Sequence, residues 1–451
     1  MFDLATSHLI QLLIALSGGI ILCVASCIGF QRGLFKVLII LIPFQFFTSR
    51  YGSFNMAVTY VLGMGMFLNK SWMKKRLKVN WPLLWVFFLV LIFFLLSWIG
   101  APRVFWTKNL FYFIMIGSNV VLFYVSYHFV SDAEDMVTFF KLLFFCNVLV
   151  ILYCILQLIV GFGEFRFLGI EEFSIQKNRT DYRLVGPFNA VGITAEYLVI
   201  QCLLLGYYLI STDKYRTFII GLIACNVAVL VGTGNRGGFI SFCVSIFLFV
   251  YFFRKELGPR KAMVLIASVA IITVVASFVM IKYTDFNILY ERMLGTRFDG
   301  VTPDTRSGWS HVIEKIFDKP ILGHGPRLVT SGEVDAPRWP KGEMGFHPHN
   351  LYLHILYTTG VIGFLGFSIL AIGYLRILRK MTFMVCGNRF ICGLPRLGII
   401  IFLIFLLDQM KIEALRWYLS DYQHYLSALF GGFLGLQNVI APSSVDRNHP
   451  V

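Results

Sequence analysis

Leu351-Tyr-Leu-His-Ile-Leu-Tyr-Thr-Thr-Gly-Val-Ile-Gly-Phe-Leu-Gly-Phe-Ser-Ile-Leu-Ala-Ile-Gly-Tyr-Leu375 contains no Asp, Glu, Lys or Arg, and the polar segment Phe346-His-Pro-His-Asn350 leads straight into it. About 17 to 25 apolar residues cross the hydrocarbon core of a bilayer as a helix. In lipid the backbone must satisfy its own hydrogen bonds, so such a run is a membrane helix rather than a strand. The junction at Asn350 therefore sets imidazoles and an amide at a membrane surface.

Outward from this stretch the same pattern repeats. Apolar runs lie near 8–30, 33–49, 54–69, 82–100, 109–130, 137–161, 189–211, 217–233, 237–253, 262–281, 397–409 and 423–440. Together they predict an all-α polytopic membrane bundle of about 12 to 13 transmembrane helices. The composition agrees, because 57% hydrophobic and 14% charged residues with a mean hydropathy of +0.75 exclude a soluble globular protein. The start of the chain lacks the basic segment and small-residue cleavage site of a signal peptide, so it reads as a retained span. Residues 1–451 read as a single integral membrane domain, with a first exported loop over 161–188 and a large one over 282–349. In the second loop Trp309, Val312, Ile313, Ile316 and Phe317 follow helical spacing, with Thr305 as candidate cap and Pro320 as stop. That amphipathic helix is expected to lie against the bilayer interface or the spans.

A net charge of +15 would suggest nucleic acid in a soluble protein, but its distribution gives orientation instead. Short loops at Asn69 to Lys78, Arg254 to Lys261 and Arg376 to Arg396 are rich in Lys and Arg, which assigns them to the cytoplasm. The long loops are balanced: 161–190 carries four basic and four acidic side chains, and 282–349 carries nine of each. Asp132, Glu134 and Asp135 on the cytoplasmic side, and Arg103 and Lys108 on the other, run against the rule. None of the nine cysteines lies in a long loop, so no exported disulfide framework is implied.

Charged groups gather at the exported boundary. Arg183 lies in Asp181-Tyr-Arg-Leu-Val-Gly-Pro-Phe-Asn189, and Arg236 in Gly232-Thr-Gly-Asn-Arg-Gly-Gly238 between two spans. Arg292, Arg297 and Arg306 lie in the large loop, with His347 and His349 at its end. An arginine at a span boundary needs a partner or water, or it simply snorkels to the headgroups. Guanidinium forks also bind phosphate oxygens bidentately. The set suggests a lipid-borne diphosphate, with His349 as candidate acid or base. His311 and His324 read as structural or solvated. A metal site would need further ligands around His347 and His349, and none is visible. No Asp-x-Asp pair, phosphate loop or dinucleotide fingerprint occurs, so no metal or cofactor is expected. Asp408 and Glu413 are the best candidates for a transporter or flippase, the more distant reading.

The order of motifs, Arg183-Leu-Val-Gly-Pro-Phe-Asn189, Thr233-Gly-Asn-Arg-Gly-Gly238, Arg306-x-x-Trp309, Pro320-Ile-Leu-Gly-His-Gly325, His349-Asn350 and Gly360-Val-Ile-Gly363, resembles the O-antigen ligase and polymerase superfamily. The resemblance implies a metal-independent, inverting glycosyltransferase of the bacterial inner membrane with its active site facing the periplasm. Its donor would be a glycan on undecaprenyl diphosphate. Its acceptor would be lipid A-core for a ligase, the preferred reading, or a second lipid-linked glycan for an O-antigen or exopolysaccharide polymerase. Carried onto this chain, Arg183, Arg236 and Arg306 would bind the diphosphate, and His349 would orient or deprotonate the acceptor hydroxyl with support from Asn350. The family often has serine where this chain has Asn235. With no large exported domain at the C-terminal end, a protein O-oligosaccharyltransferase is not expected.

Overall fold

The computed structural model describes residues 31–44, 54–68, 82–99, 106–160, 183–188, 190–283, 307–325, 350–384, 386–411 and 420–440. The expected span 8–30 and most of both long loops, including Arg306 and His349, lie outside these residues. Among the described residues there is no strand. The helices are α1 (Gln31–Leu41), α2 (Phe54–Leu68), α3 (Leu84–Ile99), α4 (Trp106–Phe129), α5 (Ala133–Val160), α6 (Val191–Ser211) and α7 (Arg216–Gly232), followed by α8 (Arg236–Phe252), α9 (Arg254–Tyr283), α10 (Ser307–Asp318), α11 (Leu351–Thr382), α12 (Arg389–Asp408) and α13 (Ser420–Ile440). The chain is an all-α polytopic membrane bundle.

By length and composition, α4, α5, α6, α11 and α12 are sufficient to cross a membrane, and α8 with the start of α9, bent by 103°, forms a sixth candidate. The other expected spans fall on shorter apolar helices, such as α7 with 17 residues. α13 has 21 residues, but polar side chains including Gln423, His424 and Asn438 dilute its apolar stretch. Asp132, Glu134 and Asp135, which run against the charge rule, serve the start of α5. Asp132 Oδ1 accepts from the Asp135 N–H at 2.8 Å, Glu134 and Asp135 stand in the first turn, and Arg32 pairs with Asp135 at 2.9 Å.

The core is built around α6, which packs on α7, α8 and α12 and is buried at nearly every position from Ile193 to Leu205. The most extensive helix pair is α4 with α13. It is close because Gly431 of α13 lies on the backbone of Phe123, where any Cβ would collide with the carbonyl. Small residues allow such backbone contact where lipid supplies no hydrophobic drive.

α11 is broken at Gly360, which adopts φ 66° and ψ −168°. The break is filled by the segment after α10. His324 and Gly325 N–H donate to Tyr357 O (2.8 Å) and Thr358 O (3.0 Å), and Val361 N–H donates to Pro320 O at 2.8 Å. The His324 ring stacks on Tyr357 at 4.8 Å, and its Nε2 lies 2.7 Å from Lys315 O. Irregular backbone is tolerated at membrane depth where protein satisfies it. α10 itself buries Val312 and leaves Ile313 and Phe317 exposed.

Candidate functional site

Arg183, Arg236 and Asn350 come together at the end of the bundle where α6, α8, α11 and α13 begin and α7 and α12 finish. Residues 183–188 are tied down from three sides. Leu184 N–H donates to Gly232 O at 3.0 Å. Val185 and Gly186 N–H both donate to Gln157 Oε1 at 3.2 Å, and Thr194 Oγ1 donates to Val185 O at 2.5 Å. Phe188 is buried in an aromatic floor, its ring 5.1 Å from Tyr197 and 5.6 Å from Tyr422, with Tyr197 4.9 Å from Tyr425. The half-buried Arg183 then reaches the turn after α7, Nε donating to Thr233 O at 2.8 Å and Nη2 to Gly234 O at 3.4 Å. Two motifs separated by fifty residues in sequence thus share one turn.

That turn delivers the chain into α8. Asn235 caps the helix, its Oδ1 accepting from Gly238 N–H at 2.9 Å. Arg236 is half-buried at the first helical position, where the partial positive charge of the helix terminus reinforces its own. Asn235 thus supplies a preferred capping side chain at this turn.

Asn350 caps α11. Its Oδ1 accepts from Tyr352 N–H at 3.0 Å and Leu353 N–H at 3.1 Å, and its Nδ2 donates to Met410 O at 3.4 Å. The side chain is buried, 6% exposed, so its amide is committed to the fold. His349, the residue before this cap, and Arg306 lie outside the described residues.

Four residues that the motif reading did not place at the site join these parts. Lys411 Nζ donates to Gly237 O at 2.6 Å, Ser241 Oγ at 3.0 Å and Asp408 Oδ1 at 3.0 Å. Asp408 Oδ1 also accepts from Ser241 Oγ at 2.7 Å, so the carboxyl considered for a carrier is engaged by α8. Leu351 N–H donates to Gln409 O at 2.9 Å, and Gln409 Nε2 lies 3.3 Å from both oxygens of the fully buried Glu196. Glu196 did carry a sequence signal, as the one acidic side chain in α6. Gln409 carried none, because Glu196 lies far away along the chain, and for Lys411 only the Asp408 contact is local while Gly237 and Ser241 are more than 160 residues away.

One turn below Asn350, Leu351 and Ile355 enter the wall of an apolar cavity of about 190 Å³. α3, α4, α12 and α13 complete it, with Phe87, Phe94, Phe402 and Phe430 among its lining residues.

No curated protein matches the chain. Residues 221–368, about a third of the sequence, match the family model described as O-Antigen ligase. The matched segment includes the Arg236 turn, the latch at Pro320–Gly325, Asn350 and the Gly360 break. Over that third the chain is similar to the O-antigen ligase family, in line with the resemblance carried by its motifs.

Proposed function

We propose that this protein transfers a glycan from undecaprenyl diphosphate to an acceptor sugar hydroxyl, as a metal-independent inverting enzyme of the ligase type with lipid A-core as acceptor. The family match supports ligase- or polymerase-type glycan transfer in a membrane. One observation carries the finer reading: Arg183 and Arg236 meet at one turn, and the α8 start is joined through residues 408–411 to the cap that follows His349.

In this reading Arg183 and Arg236, with Arg306, hold the diphosphate oxygens and stabilise the charge that develops as the anomeric carbon–oxygen bond breaks. His349 accepts the proton of the acceptor hydroxyl as its oxygen bonds to the anomeric carbon from the opposite face. Asn350 positions His349 rather than touching substrate, since its amide is engaged in capping and with α12. The donor's hydrocarbon chain enters the cavity below Leu351. The placement of Lys and Arg in the loops orients this end of the bundle toward the periplasm of an inner-membrane protein.

The test is the surface glycan profile of a deletion strain, resolved by size and complemented with wild type, His349→Ala or Arg236→Ala. Loss of long chains from lipid A-core, restored by wild type and by neither variant, is the expected outcome. A cap of one repeat unit, or loss of free exopolysaccharide, would assign polymerase activity. Full restoration by both variants would refute the site.

A further inference from the structure

We infer that Lys411 is a positioning residue for this transfer, holding the first turn of α8, and with it Arg236, against the end of α12. The inference rests on the reading of Arg236 as a diphosphate ligand. An ammonium group has three N–H donors and no acceptor. Lys411 directs Nζ to three oxygens, Gly237 O, Ser241 Oγ and Asp408 Oδ1, at 2.6, 3.0 and 3.0 Å. That uses its full donor set, so it acts on the fold of the site and leaves the phosphate oxygens to the arginines. Its stem crosses α8 at Gly237, where a Cβ would lie 2.8 Å from Lys411 Cδ.

The anchor is firm because Asp408 is fully buried and also bound by Ser241 Oγ. The same short stretch seats two other helices. Gln409 O and Met410 O take Leu351 N–H and Asn350 Nδ2 of α11, and the Gln409 side chain meets Glu196 of α6. An ordinary ion pair at the end of α12 would need only Asp408. The bonds to Gly237 and Ser241, more than 160 residues away in sequence, extend the pair into a brace between the candidate diphosphate site and the start of α11.

The experiment is a double-mutant cycle on the purified full-length protein, with undecaprenyl diphosphate as the binding probe. Affinity is measured for wild type, K411M, R236A and the double variant, each confirmed monodisperse. A residue acting through Arg236 loses its effect once Arg236 is gone. K411M is expected to weaken binding about 10-fold in wild type and less than about 2-fold in the R236A background, while K411R recovers most of the loss. Where K411M does not purify as a single species, K411Q, which retains an N–H donor, takes its place. Additive losses would make Lys411 a phosphate ligand in its own right and overturn the inference. An unchanged affinity in K411M beside a loss in R236A would overturn the inference alone. An unchanged affinity in R236A would refute the underlying site, and this inference with it.

Discussion

Asn350 shows how one amide can serve a reaction without touching it. Its oxygen takes two orphan N–H groups of α11, and its nitrogen reaches Met410 O. Removing a capping side chain costs about 1 kcal/mol. Asn350→Ala is therefore expected to lower the melting temperature by a few degrees and to reduce transfer. Asn350→Ser retains a capping oxygen but cannot reach Met410, so it should fall between alanine and wild type in both thermal unfolding and transfer rate. Equal behaviour of the serine variant and wild type would show that the Met410 contact contributes nothing. In the sequence Asn350 read only as a support for His349, and its capping role came with the structure. Its burial and its link to α12 were not legible, because Met410 is sixty residues away. Glu196 belongs at this scale too. Glu196→Ala leaves the Gln409 amide short of an acceptor, at a cost of about 1–3 kcal/mol, whereas Glu196→Gln leaves one in place. Yield of monodisperse protein should follow that order, and identical yields would argue against a seated Gln409.

At the scale of elements, the latch between the segment after α10 and the break in α11 gives the Gly323 and Gly360 motifs a physical meaning. Gly360 lies at a positive φ with the Ile321 backbone against its open side, and Gly323 lies against the Thr358 backbone. A Cβ at Gly360 would collide with the Ile321 carbonyl. Gly360→Ala is expected to split α10 from α11, seen as loss of the monodisperse peak in size-exclusion chromatography and loss of transfer. A variant that elutes and transfers like wild type would show that the latch gives way easily. The motif glycines were visible as spacing alone, whereas 351–375 read as one unbroken span and the break at Gly360 came only with the structure. That they meet, with His324 stacked on Tyr357, is a fact of packing.

For the whole molecule, the topology sets the candidate site at one end of the bundle and the described basic segments at the other. The end holding the described basic segments at 254–261 and 376–396 carries Arg396 bound to Glu256 at 2.5 Å and Arg32 bound to Asp135, while the opposite end carries the candidate site. An impermeant thiol reagent is expected to label Glu333→Cys in intact cells with a permeable outer membrane. Labelling only after the inner membrane is opened would invert the topology. The sequence by itself determined that the chain is helical and membrane-bound, because uncharged runs of bilayer length permit no other backbone solution. It also carried the order of motifs that resembles the superfamily, since these are local strings of residues. Only the tertiary structure decided that Arg183 meets the turn before Arg236, that Lys411 braces α8, and that residues 408–411 seat α11. Those contacts join residues fifty to more than a hundred positions apart, and their donors and acceptors find one another only once the helices have packed.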